Sequence, residues 1–278
     1  MKKNHKKIIK HVFEKICKDI SSIKIQGAEE IAKKAFYAYK LIPTKSSKRK
    51  LLSLRPTEPM LENVLNLADK LSYKELIKKL ESNQNKINYL VFKLIKNNNI
   101  IFTHCHSSTI VKALIFAKKK RKRFEVYNTE TRPLFQGRKT AKELRRAGIK
   151  VATFIDSAAK IALTKDQDKE EKTRKVSFVF FGSDALTKKG VINKVGSGMF
   201  AEIAKDNNIP VYIISDSLKY TLKNIKFEQR NPREIWKAPK FNLKNPAFEL
   251  IKKENIKAII SELGILSYNQ FLKRIKEK

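Results

Sequence analysis

Residues 176–198 read VSFVFFGSDALTKKGVINKVGSG, and the fold follows from the order of residue types in this stretch. A near-continuous apolar run stops at Gly182, and a carboxylate, Asp184, follows two residues later. A run that is apolar rather than alternating marks a strand buried on both faces inside a parallel sheet, with the acid delivered to its carboxyl end. Lys189-Gly190 reads as a turn and the polar pair Asn193-Lys194 follows it. Gly196-Ser197-Gly198 is expected to open a helix with its amides bare, an end that suits an anion.

Outward from this strand the same grammar repeats. From about residue 100, short apolar runs at 100–103, 124–128, 150–154, 176–181 and 211–214, with another near Ile259, alternate with helical stretches at 108–119, 138–147, 157–163 and 199–207. Alternation of this kind predicts a parallel sheet covered on both faces, with ligands bound beyond the carboxyl ends of the strands. Before residue 98 the pattern is different. Ile8, Ile9, Val12, Phe13, Ile16, Cys17 and Ile20 recur in steps of three and four, and 28–41, 58–71 and 73–96 continue in helical period. The predicted fold class is α/β, with an all-helical N-terminal domain over residues 1–97 and a parallel-sheet domain over 98–278. The charged 165–175 connection reads as a solvated loop.

Composition bounds the function. The chain has 278 residues, 62 Lys+Arg against 27 Asp+Glu, and a formal net charge of +35. Such a balance raises nucleic acid first. The excess is mostly lysine, however, is spread over the whole length, and has no interleaved aromatics to stack bases. Nonspecific RNA contact is therefore expected at most. No apolar run is long enough to span a bilayer and no signal-peptide core precedes the first helix, so a cytoplasmic protein is expected. Cys17 and Cys105 make neither a disulfide framework nor a metal-ligand spacing, and Cys17 lies on an apolar helix face.

Several segments carry chemistry. IIFTHCHSS places Thr103, His104, Cys105, His106, Ser107 and Ser108 between a strand and a helix. A thiol there meets bare amides and a helix dipole, which predicts a lowered pKa, although a buried structural cysteine fits the position equally well. His104 and His106 resemble metal ligands only superficially, with no third ligand nearby, so no metal site is expected. The segment Thr131-Arg132-Pro133 holds an arginine before a proline, where it either faces a ligand or pairs with Glu130 or Glu143. Gln136-Gly137-Arg138 then starts a helix. Arg55-Pro56 repeats the arrangement with Thr57 as expected N-cap, and Gly27-Ala28 allows close approach of a phosphate. Neither a P-loop nor a strand-anchored dinucleotide fingerprint is present, so no nucleotide cofactor is expected.

THCHSSTIVKAL, TETRPLFQGRKTAKELRRAGIKV, FGSDALTKKGVINKVGSGMFAEIAK and NPAFELIKKENIKAIISELG together resemble the family that contains ribose-1,5-bisphosphate isomerase, methylthioribose-1-phosphate isomerase and the alpha, beta and delta subunits of eukaryotic initiation factor two-B. The resemblance runs from about Ile25 to Gly264. It implies a helical domain followed by a Rossmann-like domain without a dinucleotide, and a homo-oligomer, either a dimer or a trimer of dimers. It implies Cys105 and Asp184 as the catalytic pair, with Ser183 where alanine is usual. The implied substrate contacts are Gln26, Gly27, Ala28, Glu29, Arg55, Ser107, Ser108, Arg132, Gln136, Asn193, Lys194 and Lys219. Gln26 stands where the isomerases carry arginine.

What the resemblance implies about activity is an aldose-to-ketose isomerisation of ribose 1,5-bisphosphate in AMP degradation, without cofactor. Asp184 would donate a proton to the ring oxygen and Cys105 would accept one from carbon. Lys219 favours a second phosphate over a methylthio group. The rival readings are a noncatalytic regulatory subunit and a methylthioribose-phosphate isomerase.

Overall fold

A computed structural model describes residues 2–164, 174–227, 229–237 and 241–277; of the 165–175 connection, 165–173 lie outside the described residues. Two compact units are present. One comprises the described residues up to Ser82 together with Leu218–Ile225, and the other Asn83–Ser217 together with the described residues from Lys226 onward.

The first unit is helical: α1 (Lys2–Ser21), α2 (Ala28–Leu41), α3 (Lys45–Leu54), α4 (Pro59–Asn66) and the beginning of α5 (Tyr73–Leu94). Its helices form where local and packing signals agree. In α2 the acids Glu29 and Glu30 sit in the first turn and Lys40 in the last, complementing the helix dipole, while Ile31, Ala32, Ala35 and Phe36 turn inward. α3 starts at a reciprocal capping box between Thr44 and Ser47. The predicted Thr57 cap is not used, because the chain makes another turn and α4 begins at Pro59 with Glu58 as N-cap. Phe13, Ile16, Cys17 and Ile20 of α1 join Phe36, Leu51, Met60, Leu61 and Leu65 in one buried cluster, so α1 is part of this unit's core.

The second unit contains β1 (Asn99–Thr103), α6 (Ser108–Lys119), β2 (Phe124–Thr129), α7 (Gln136–Arg146), β3 (Lys150–Phe154), α8 (Ala159–Thr164), β4 (Phe178–Phe181), β5 (Ala185–Leu186), β6 (Gly190–Lys194), α9 (Ser197–Asp206), β7 (Val211–Ile214), β8 (Phe248–Lys252), β9 (Ala258–Ser261), β10 (Gly264–Leu266) and α10 (Tyr268–Lys276). Seven strands form one sheet in the order β10-β9-β7-β4-β1-β2-β3, parallel except for the β9-β10 hairpin.

Alternation along the strands explains how both faces are filled. Phe178 and Phe180 lie in the cluster with Ile87 and Val91 of α5 and Ile110 and Leu114 of α6. Phe181, on the other face, meets Phe102, which in turn meets Phe200 of α9 edge-on at 5.8 Å. Every residue of β4 is buried, as a strand at the centre of such a sheet requires. β5, β6 and β8 form a second, antiparallel sheet that the sequence pattern does not announce.

Candidate active site

The sheet order puts β4 on the opposite side of β1 from β2, so the direction in which successive strands are added reverses between β1 and β4, the position at which parallel sheets of this kind take ligands. Thr103 pairs in register with Phe180, so the segments His104-Cys105 and Gly182-Ser183-Asp184 leave adjacent strands side by side. This is why the two predicted catalytic residues come together although 79 positions separate 105 from 184. Gly182 is required for that approach. A Cβ there would lie 2.9 Å from the Ser107 side chain.

Cys105 is held by its backbone. It has φ 66°, its N–H donates to Thr131 Oγ1 at 3.0 Å, and its carbonyl accepts from Thr140 Oγ1 at 2.9 Å. Burial pushes its thiol up to about 11, with Asp184 and Asp156 pushing the same way, while Lys194 and the His106 N–H pull it down. The lowered pKa expected from the helix dipole is therefore corrected: desolvation of the half-buried cysteine outweighs the favourable dipole.

His104 is buried and neutral. Its Nε2 lies 2.9 Å from the Val195 carbonyl, which can only accept, so Nε2 carries the proton and Nδ1 accepts from Thr129 Oγ1 at 2.5 Å. Burial holds its pKa down at about 4. The ring also meets Phe200 edge-on at 5.0 Å.

Ser183 shares a hydrogen bond with Ser215 at 2.6 Å, which gives its buried hydroxyl a partner at the end of β7. Ser107 caps α6 by accepting from the Ile110 N–H, and Ser108 is the first residue of that helix. Asn193 and Lys194 lie on β6, opposite Glu249 and Phe248. Asn193 Nδ2 and Gln136 Oε1 are both buried with no hydrogen-bond partner among the described residues. A polar ligand would supply what they lack.

The N-terminus of α9 departs from expectation. Its amides are not bare, since the Gly198 N–H donates to Glu249 Oε1 at 2.5 Å and Ser197 Oγ turns back to the Lys194 carbonyl. The protein's own carboxylate occupies the anion position.

Arg132 Nη2 donates to the Ile235 carbonyl at 3.1 Å and its guanidinium lies 5.1 Å from the Phe135 ring centre. The carboxylates offered as its partners are engaged elsewhere, Glu130 with Arg138 at 2.6 Å and Glu143 with Lys139 at 3.9 Å. The Arg132-Pro133 bond is cis. Asp156, absent from the predicted residues, accepts from the N–H groups of Thr131 and Arg132. The only cue in the sequence is a carboxylate two residues past a strand end. A separate concavity of about 440 Å³ along α7, lined by Phe135, Arg138, Lys139, Lys142, Glu143 and Arg146, holds none of the predicted site residues.

The remaining predicted contacts belong to the helical unit. Gln26 Nε2 donates to the Ile23 carbonyl. Gly27, with φ 85°, precedes α2 and provides no side-chain cap, and Ala28 and Glu29 form its first turn. Glu29 pairs with Lys33 at 2.5 Å. Arg55 Nη2 lies 3.3 Å from Glu58 Oε1. Lys219 ends a short 3-10 turn, Ser217–Lys219.

Fold and site define a doubly wound α/β protein with a thiol and a carboxylate placed beyond two adjacent parallel strands. Residues 9–268 match the Initiation factor 2 subunit family, and the chain belongs to that family. It is similar to ribose 1,5-bisphosphate isomerase of Archaeoglobus fulgidus, 31% identical over 89% of this chain and 87% of that protein. It is equally similar to the ribose 1,5-bisphosphate isomerase of Thermococcus kodakarensis, 31% identical over 93% and 92%. Among solved structures, the translation initiation factor eIF-2B of Pyrococcus horikoshii OT3 shares the fold with a TM-score of 0.79 at 23% identity, covering 92% of this chain and 96% of that one.

Proposed function

We propose that this chain is a cytoplasmic aldose–ketose isomerase that converts α-D-ribose 1,5-bisphosphate to D-ribulose 1,5-bisphosphate. The observation that carries the reading is the Cys105–Asp184 pair at the β1–β4 crossover, in a chain that aligns over most of its length with named isomerases of this substrate. The eIF-2B likeness supports the fold alone, and a binding scaffold has no use for an acid and a thiol at one crevice.

A 1-phosphate blocks spontaneous ring opening. In the proposed mechanism Asp184, in its neutral form, gives a proton to the ring oxygen as the ring opens; the Cys105 thiolate removes the proton from C2, and as the resulting thiol returns it to C1 the O2 hydroxyl gives up its proton to the Asp184 carboxylate, which leaves the C2 ketone and restores both groups. Lys194, whose charge already bears on the thiol, steadies the thiolate. Asn193 Nδ2 and Gln136 Oε1 are buried without partners among the described residues; Asn193 Nδ2 is assigned to donate to a phosphate oxygen and Gln136 Oε1 to accept from a substrate hydroxyl, with Ser107, Ser108 and Arg132 as further donors.

The test is direct. Purified protein is incubated with α-ribose 1,5-bisphosphate or with methylthioribose 1-phosphate, and the ketose product is quantified. Turnover of the bisphosphate is expected, lost in Cys105→Ser and Asp184→Asn. Turnover of the methylthio sugar alone would transfer the chain to the other isomerase class, and no turnover of either would leave the regulatory reading. A homo-oligomer is part of the proposal. It is supported by Trp236 and Phe241, whose tilted rings lie 4.8 Å apart while 55% and 61% exposed, and sedimentation velocity measures it.

A further inference from the structure

Asp156 begins a short 3-10 turn, Asp156–Ala158, just beyond β3. Its Oδ1 accepts from the Thr131 N–H at 2.9 Å and its Oδ2 from the Arg132 N–H at 2.6 Å. Oδ1 also lies 4.0 Å from His104 Nδ1. Thr131 is fully buried and has φ 64°. A β-branched residue in the left-handed region costs on the order of 1–3 kcal/mol and persists only where its surroundings hold it. A carboxylate that takes two successive N–H groups is such a hold. Thr131 passes the constraint on, because its hydroxyl accepts the N–H of Cys105, itself left-handed at φ 66°.

We infer that Asp156 is a positioning residue for Cys105, acting through the Thr131 backbone and hydroxyl. The proposed isomerase reading says what the thiol does; the relay itself stands on the hydrogen bonds alone. An amide cannot replace the acid, since asparagine has one acceptor oxygen and would set an NH₂ against the second N–H.

The relay has two separable effects, one on placement and one on charge. The groups that face the Cys105 thiol are Lys194 on β6, Asp184 beyond β4, Asp156 beyond β3 and the His106 N–H. His104 beside it is neutral, and Lys139 and Glu143 of α7 bear on His106. Removing the Asp156 charge therefore changes the thiol's titration, whereas breaking the relay at Thr131 changes only its placement.

The experiment compares full-length wild type, Asp156→Asn and Thr131→Val. Alkylation of Cys105 by iodoacetamide is followed by peptide mass spectrometry from pH 7 to 10, and kcat and KM are measured with ribose 1,5-bisphosphate. In Asp156→Asn the alkylation rate at pH 8 is expected to rise several-fold as the thiolate fraction grows. Its kcat is expected to fall at least about tenfold, as misplacement of a reacting group dictates, with a rise in KM beside it because the Arg132 N–H loses its acceptor as well. Thr131→Val should lose kcat similarly while its alkylation keeps the wild-type pH dependence. Wild-type alkylation at every pH in Asp156→Asn, or a kcat loss no greater than its loss of folded protein by circular dichroism, overturns the inference. If Asp156→Asn does not fold, a wild-type kcat in Thr131→Val overturns it. Absence of wild-type turnover would remove the isomerase reading, and the alkylation arms would still judge Asp156.

Discussion

At the scale of single residues, burial decides more than residue type. His104 belongs to the THCHSS segment that marks the site in the sequence, yet its role is set by three neighbours from other segments: Thr129, Val195 and Phe200. With its pKa held down at about 4, it contributes stability that is complete above the unfolded value near 6.5 and is lost as pH falls through 4. The size is on the order of 3 kcal/mol. His104→Gln should therefore flatten the loss of unfolding free energy between pH 6.5 and 4.5, measured by urea titration; an unchanged slope would show that other groups govern acid unfolding. Cys105 gives the opposite sign. Its thiol, pushed up to about 11, is protonated at neutral pH, so a rate that depends on thiolate should climb about tenfold per pH unit from 7 to 9. A flat kcat over that range would exclude the thiolate as proton acceptor. The positions of Cys105 and Asp184 beyond β1 and β4 were legible because each follows an apolar run that ends in a strand. Their electrostatics were not, because Asp156 and Lys194 reach the thiol from other strands.

At the scale of elements, the sequence disclosed whatever is periodic and local. β3, β7, α2 and α6 begin and end where the pattern places them, since each is a clean run bounded by polar or glycine residues. The β5-β6-β8 sheet escaped notice because β5 has two residues, β6 opens at a glycine and ends in Asn193-Lys194, and its partner β8 is some fifty residues away. The same distance hid Glu249. By taking the Gly198 N–H it neutralises the helix end that the Gly-Ser-Gly motif, read alone, offers to a ligand, and it ties α9 to β8. Glu249→Gln keeps an acceptor but loses the charge and should destabilise the protein by about 1 kcal/mol, whereas Glu249→Ala should cost about 2, both read as denaturation midpoints. Gly137 marks a harder constraint. A Cβ there would lie 1.8 Å from the Thr129 carbonyl oxygen, so α7 cannot stay against β2. Gly137→Ala is expected to cost at least about 3 kcal/mol and to displace Gln136 and Arg132 with it, lowering turnover in the protein that remains folded.

At the scale of the whole molecule the charge is what remains to be explained. A net +35 cannot be balanced by internal ion pairs, and it repels itself through any fold the chain adopts. α1 illustrates how the protein accommodates it. Phe13, Ile16, Cys17 and Ile20 are buried in the helical unit's core, while Lys7, Lys10, Lys15 and Lys18 face solvent, so deleting the helix would remove core as well as charge and could not isolate an RNA contact. Replacing those four lysines with glutamate can. Because the remaining cations are distributed along the chain, the variant should keep most of the salt dependence of nonspecific RNA binding, which for single strands is about 0.7 per phosphate neutralised in log–log form. It should also unfold at a higher temperature than wild type in 20 mM NaCl, with the difference shrinking at 500 mM as screening shortens the reach of the repulsion to a few ångströms. Unchanged isomerase turnover is expected in both salts. Collapse of RNA binding in this variant alone would instead make α1 a dedicated nucleic-acid surface, and the lysine excess there a functional feature rather than a diffuse property of the surface.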